Sequence, residues 1–245
     1  LKIALLSDCH GNIAALESAM KIVESENLER LYFLGDMIGY YPNPNECLDI
    51  AKKHKCLIGN HEYACIHPSY SRLFNPAAQN AIKWTKNNLT SDNIDYISKL
   101  PYTLEDADAK IKMAHGALTD PFEYIQSKVS AFANFELFTE QVLFIGHTHR
   151  SAVWTQDMGE PYDIKLTEVW ESFTFDLESD KRYIINIGSV GQPRDGNPEG
   201  CFVIFDSSEK TVRFVRFEYP VEVTYQRALD AGMDPMLCNR LFAGI

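Results

Sequence analysis

The chain has 245 residues, 45% hydrophobic and 23% charged, the balance of an ordinary globular protein rather than a disordered one. No apolar run reaches the roughly 20 residues that a membrane-spanning helix needs. A formal charge of −11 argues against non-specific nucleic-acid binding, which relies on clustered Lys and Arg, yet leaves an anionic substrate open because bound cations can dominate a local potential.

The first predicted strand, Ile3 to Leu6, stops abruptly at Ser7-Asp8-Cys9-His10, and Gly11-Asn12 opens a helix whose apolar stripe is Leu16, Ala19, Met20 and Val23. Leu31 to Leu34 form the next strand, so the chain opens as βαβ. Gly39-Tyr40-Tyr41-Pro42-Asn43-Pro44 reads as a loop kept extended by its two prolines, before a short helix over 47–53 and a strand over 55–58. Residues 63–110 read as a helical insertion: Asn75-Pro76 starts one helix, Ser91 caps a second, and Pro101 ends it. The insertion is expected over or beside the crevice, as a specificity element or as packing. From 142 onward the pattern is mostly β, with strands near 151–155, 164–167, 172–177, 182–187, 201–205 and 212–217 and a hairpin turn at Ser207-Ser208-Glu209-Lys210. Two short helices, 221–230 and 235–242, close the chain. No repeat or flexible linker appears, so one domain over 1–245 is expected, with two packed sheets and helices outside.

Five apolar strands end in the same way, each tipped with a metal-ligand residue type: Asp8-x-His10, Gly35-Asp36, Gly59-Asn60-His61-Glu62, His115-Gly116 and Gly146-His147-x-His149. In open α/β sheets ligands gather outside the carboxyl ends of the strands, so these five ends are expected to converge. Flanking glycines suit turns in which backbone approaches a crowded centre. Imidazole mixed with carboxylate suits Mn, Fe, Ni or Zn rather than Ca or Mg. Seven candidate ligands, Asp8, His10, Asp36, Asn60, His115, His147 and His149, exceed the needs of one four-coordinate zinc and suit two divalent ions sharing a carboxylate. Such a centre attracts a phosphate and acidifies bound water. His54 and His67 read as surface residues. The six cysteines have no CxxC spacing and read as buried reduced thiols. No leader precedes the first strand, whose Asp8 belongs to the site, so cytoplasmic residence is expected.

In order, spacing and residue type, the five blocks resemble the signature blocks of the calcineurin-like metallophosphoesterases. The stretches 7–12, 39–44 and 186–198 look like the small prokaryotic phosphodiesterase branch. The resemblance implies a four-layer αββα fold, two mixed β-sheets flanked by helices. It implies that Asp8, His10 and His149 hold one metal, Asn60, His115 and His147 the other, and that Asp36 bridges them. His61 would orient the scissile phosphate and protonate or hydrogen-bond the leaving oxygen, with Glu62 holding its imidazole. The implied activity is hydrolysis of small, nucleotide-type phosphodiesters by attack of metal-bound hydroxide. The alternatives are a phosphomonoesterase or protein phosphatase, a dinucleoside polyphosphate hydrolase, or a non-catalytic interaction module on the same fold. Arg194 is a candidate phosphate contact, against the rival reading of a loop arginine paired with Asp195 or solvated. Tyr40 and Tyr41 either stack a nucleobase or simply pack.

Overall fold

The computed structural model describes residues 1–245. Strand β1 (Lys2–Leu6), helix α1 (Ile13–Ser25) and β2 (Arg30–Phe33) form the opening βαβ unit, followed by α2 (Pro44–Ala51), β3 (Lys55–Cys56) and α3 (Asn60–Ile66). A 3₁₀ turn at Tyr70–Leu73 leads to α4 (Pro76–Asn88) and α5 (Ser91–Ile97). Then come β4 (Thr103–Asp106), β5 (Ile111–Ala114), α6 (Lys128–Phe135) and β6 (Val142–Ile145). The mostly β half is β7 (Ala152–Asp157), β8 (Ile164–Glu168), β9 (Phe173–Asp176), β10 (Lys181–Asn186), β11 (Gly200–Asp206) and β12 (Thr211–Phe217), closed by α7 (Val221–Asp230) and α8 (Pro235–Ala243).

Two six-stranded mixed sheets result, in the orders β3-β2-β1-β11-β12-β9 and β4-β5-β6-β10-β7-β8. Strands β1 to β3 run parallel, as do β5, β6 and β10, so their carboxyl ends face one side. The two-residue period of a strand sets the layers. Ile3 and Leu5 point between the sheets against Met113, Phe144 and Ile185, whereas Ala4 and Leu6 point outward against Leu16, Ala19 and Val23 of α1. On the far face, Leu143, Ile145 and Ile184 pack against Ala131 and Phe135 of α6. The order is helix, sheet, sheet, helix, as expected.

Local boundaries differ from expectation for identifiable reasons. Pro44 does not extend the loop but starts α2 at its first turn, where its missing N–H costs nothing. The expected strand at 55–58 pairs only through Lys55 and Cys56 before bending toward α3. Thr90, not Ser91, caps α5, accepting the Asn93 N–H at 3.2 Å. The 63–110 segment is not wholly helical: Thr103–Asp106 is an edge strand on β5. Asn75 caps α4 and Asp234 caps α8, each with proline next, as the sequence indicates.

Candidate metal centre

The loops after β1, β2, β3, β5 and β6 meet at one point, laced by backbone hydrogen bonds that extend the strand pairing. Asp8 N–H donates to the Gly35 carbonyl (3.1 Å), His10 N–H to that of Asp36 (2.9 Å), and Gly146 N–H to that of His115 (2.9 Å). Asp8, His10, Asp36, His147 and His149 all have φ between 53° and 69°, the left-handed region that non-glycine residues rarely occupy. Five such residues in one cluster mark strain held by the surrounding fold, which concentrates at functional sites. Glycine is needed where backbone is closest: a Cβ on Gly59 would lie 2.1 Å from Oδ1 of Asp36.

Seven buried side chains converge. Ligand atoms of Asp8, His10, Asp36 and His149 lie within 4.8 Å of one another, as do those of Asp36, His115 and His147, so Asp36 belongs to both groups. Nε2 of His10 and Nε2 of His149 are 3.0 Å apart, and Nε2 of His115 is 3.1 Å from both Nδ1 of His147 and Oδ1 of Asn60.

The hydrogen bonds around the rings decide what the centre can hold. Each imidazole gives its outer nitrogen to a backbone carbonyl: His10 to Ile38 (3.2 Å), His115 to Leu34 (2.8 Å), His147 to Phe122 (2.9 Å) and His149 to Gln192 (2.5 Å). In the neutral ring this assigns the proton outward and turns a bare lone pair inward. The carboxylates behave alike. Asp36 spends Oδ1 on the His61 N–H (2.9 Å) and Asp8 spends Oδ2 on the His147 N–H (3.0 Å). Oδ1 of Asp8 is buried with no hydrogen-bond partner. Converging lone pairs and an orphaned carboxylate oxygen are a donor set that divalent cations satisfy. Burial holds the pKa of His147 down at about 3; it acts the same way on His115, where Asp36 and Asp8 outweigh it and raise the value to about 9.

His61 stands beside this cluster on α3, its ring centroid 4.6 Å from those of His10 and Tyr40 and 5.2 Å from that of Phe74. Burial lowers its pKa to about 4, and its Nδ1 has no partner. Glu62 does not hold it. The Glu62 carboxylate instead accepts the N–H groups of Asp36 (2.8 Å), Gly59 (2.9 Å) and Ile38 (3.1 Å). Neighbouring residues on a helix point apart, and a Glu three positions after the cap turns back to the backbone.

A cavity of about 360 Å³ opens over the cluster, reaching Asp36, Asn60, His61, His147 and His149. Aromatic residues wall it: Tyr40, Tyr70, Phe74, Phe122 and Tyr124. Tyr70, Leu73, Phe74 and Asn75 come from the 63–110 segment, which therefore forms one side of the crevice while Ile82 and Leu89 anchor it in the core. Arg194 reaches the cavity, held by Oε1 of Gln192 (2.6 Å) and the Tyr40 hydroxyl (3.3 Å). It does not pair with Asp195, whose carboxylate binds Arg216. Tyr41 packs: it is fully buried and donates to the Leu237 carbonyl (3.3 Å). His67 is exposed, His54 half-buried, and all six cysteines are buried free thiols.

Sequence reasoning passed over several residues of the site. Gln192 serves three neighbours: its carbonyl fixes His149, its Oε1 holds Arg194, and its amide donates to the Tyr41 hydroxyl (2.9 Å). Its place in the 186–198 block was the available signal. Tyr124, stacked on His147 with centroids 4.1 Å apart, and Arg240 of α8 carried no local signal at all.

Residues 1–210 match the calcineurin-like phosphoesterase superfamily domain. The chain is 31% identical to an uncharacterised protein of Methanocaldococcus jannaschii, over 99% of this chain and 98% of that one. The crystal structure of a metallophosphoesterase from Sphaerobacter thermophilus superposes with a TM-score of 0.86 at 34% identity, covering 100% of this chain and 99% of the other. A hypothetical protein from Pyrococcus horikoshii shares the fold at 19% identity and a TM-score of 0.80, over 100% and 98% of the two chains. With most of its length matched, the chain belongs to the calcineurin-like phosphoesterase superfamily.

Proposed function

We propose that the protein is a dinuclear metal-dependent phosphoester hydrolase that cleaves small, nucleotide-type phosphodiesters. The observation that carries this reading is the double cluster sharing Asp36, with the outer nitrogen of each of its four imidazoles bonded to a backbone carbonyl. On this reading Asp8, His10 and His149 hold one metal, Asn60, His115 and His147 the other, and Asp36 bridges. Two divalent ions, when bound, supply positive charge to phosphate oxygens and acidify water. Mn, Fe, Zn and Ni all suit the donor set.

The chain's own residues supply the rest. Arg194 presents a planar guanidinium to a phosphate entering the cavity, already oriented by Gln192 and Tyr40. His61, kept neutral by burial, donates a hydrogen bond to the leaving oxygen as charge develops there. The aromatic walls match a substituent with a flat ring more readily than a peptide. The ligand set is complete, which favours an enzyme over a non-catalytic module built on the same fold.

The test is metal content by elemental analysis, together with bis-p-nitrophenyl phosphate hydrolysis before and after Mn²⁺ addition. About two metals per chain and Mn²⁺-stimulated cleavage are expected. Metal with cleavage of monoesters or phosphopeptides alone would replace the diesterase with a phosphatase, and neither metal nor turnover would overturn the reading.

A further inference from the structure

Three of the chain's nine arginines line one groove leading away from the metal cluster. Arg194 lines the 360 Å³ cavity and also a neighbouring one of about 480 Å³. Tyr124 and Arg240 line both as well, and Thr148 and Arg150 continue the second outward. The two cavities therefore form one continuous path.

None of the three guanidiniums pairs with a carboxylate side chain, whereas Arg30, Arg213 and Arg216 each do. Backbone, amide and hydroxyl oxygens orient them instead. Nε of Arg150 donates to the Arg194 carbonyl (3.1 Å), and Nε of Arg240 to the Ile245 carbonyl (2.6 Å). Arg240 is not placed by chance. Leu237, Cys238 and Leu241 of α8 pack against Tyr40 and Tyr41, and Gly196 N–H donates to the Gly244 carbonyl (2.8 Å), tying the helix to the site wall. Burial and the charge of Arg194 both work against the Arg240 cation. In a chain carrying −11, a row of guanidiniums without Asp or Glu partners beside a phosphate site is a recognition feature, since guanidinium matches phosphoryl oxygens two at a time.

We propose that Arg240 and Arg150, with Arg194 between them and the metal cluster, form a second anion subsite, so that the preferred substrate carries at least one more phosphoryl group beyond the scissile one. Three guanidiniums along one groove match several phosphoryl groups rather than a single carboxylate. The substrate class is then an oligophosphate-linked nucleotide ester rather than a simple diester. This inference rests on the proposed phosphoester hydrolase activity.

The experiment compares kcat/KM for diadenosine tetraphosphate and bis-p-nitrophenyl phosphate in the metal-loaded wild type, Arg240→Gln, Arg240→Lys and Arg150→Gln. One charge-assisted contact is worth roughly ten- to hundredfold, so Arg240→Gln should lower the tetraphosphate-to-diester ratio by that factor. Arg240→Lys should recover part of it, and the exposed Arg150→Gln should lose less. A ratio unchanged within about twofold, with both substrates turned over, would overturn the subsite. A second readout needs no turnover: calorimetric titration of the metal-free protein with tripolyphosphate and with orthophosphate. Tighter tripolyphosphate binding that Arg240→Gln abolishes supports the subsite even if no ester is cleaved, in which case the hydrolase reading alone falls. Equal binding of the two anions counts against the subsite whatever the enzyme cleaves.

Discussion

The Glu62 carboxylate is bonded to the backbone of Asp36: Oε2 accepts the Asp36 N–H at 2.8 Å while also closing the start of α3 through the Gly59 N–H. A buried carboxylate thus sets the turn that carries the residue shared by both ligand clusters. Burial and the charge of Asp36 raise its pKa, and the N–H bonds from Ile38 and Asp36 oppose that rise. Glu62→Gln puts an NH₂ group where acceptors are needed, so the loss should be about 1–3 kcal/mol, read as a Tm several degrees lower with weaker metal retention. An unchanged Tm with an altered pH–rate profile would instead connect Glu62 to the imidazole of His61.

What the sequence displays and what it hides divide along the range of the interactions. Candidate strand-end ligands such as Asp8 and His147 are legible because an apolar run, a turn and a ligand type are local features, and Asn75-Pro76 and Asp234-Pro235 announce helix starts for the same reason. Strand β4 is hidden because Thr-Leu-Glu-Asp at a sheet edge has exposed polar positions and little apolar signal. Glu62 misleads because adjacency to His61 in sequence is not adjacency on a helix surface. Arg240 is invisible because its place depends on how α8 docks on Tyr41, more than 190 residues earlier.

Asn60 and His61 are neighbours in sequence with separable assignments. Asn60→Ala removes the oxygen 3.1 Å from Nε2 of His115, so metal content should fall toward one ion per chain and turnover should drop severely. His61→Ala should keep two ions and lose roughly 10²–10⁴ in kcat, the range for a group assisting a leaving oxygen. Elemental analysis beside steady-state rates separates the two. Loss of metal from the His61 variant would contradict the role assigned to it.

Asp106 pins the two sheets together from outside the site. It lies on β4, and its carboxylate takes the Tyr32 hydroxyl (2.7 Å) and Arg30 Nη1 (2.5 Å) from β2 of the other sheet, plus the Ala109 N–H (3.1 Å). Burial works to raise its pKa, but these bonds outweigh it and hold the group below its ordinary value of 3.8. The unfolded chain then takes up the proton more readily, so the contribution is complete above about pH 4 and fades as pH falls through the depressed folded value. Asp106→Asn should lower Tm by a few degrees at pH 7, and the gap to wild type should close on acidification below pH 4. A gap that stays constant to pH 2 would mean that the carboxylate charge contributes nothing.

Gly59 is an exacting position beside the cluster. A Cβ there would sit 2.1 Å from Oδ1 and 2.4 Å from the backbone nitrogen of Asp36, inside any tolerable contact. Neither atom can yield cheaply: the nitrogen is held by Glu62, and Oδ1 accepts the His61 N–H at 2.9 Å. Gly59 also has ordinary extended backbone, φ −98°, so alanine fails there through space and not through conformation. Gly59→Ala should therefore push Asp36 off both ligand groups at once. Expected are a stability loss of about 1–3 kcal/mol or more and the departure of both metals together. Gly232, with φ +75° and nothing within 4 Å of a Cβ, is the control for conformational strain without crowding. Gly232→Ala should cost stability while keeping metal content and rate. If Gly59→Ala instead retained two ions and normal turnover, the crowding that defines the shared carboxylate would be absent, and the assignment of Asp36 as the bridge would fail.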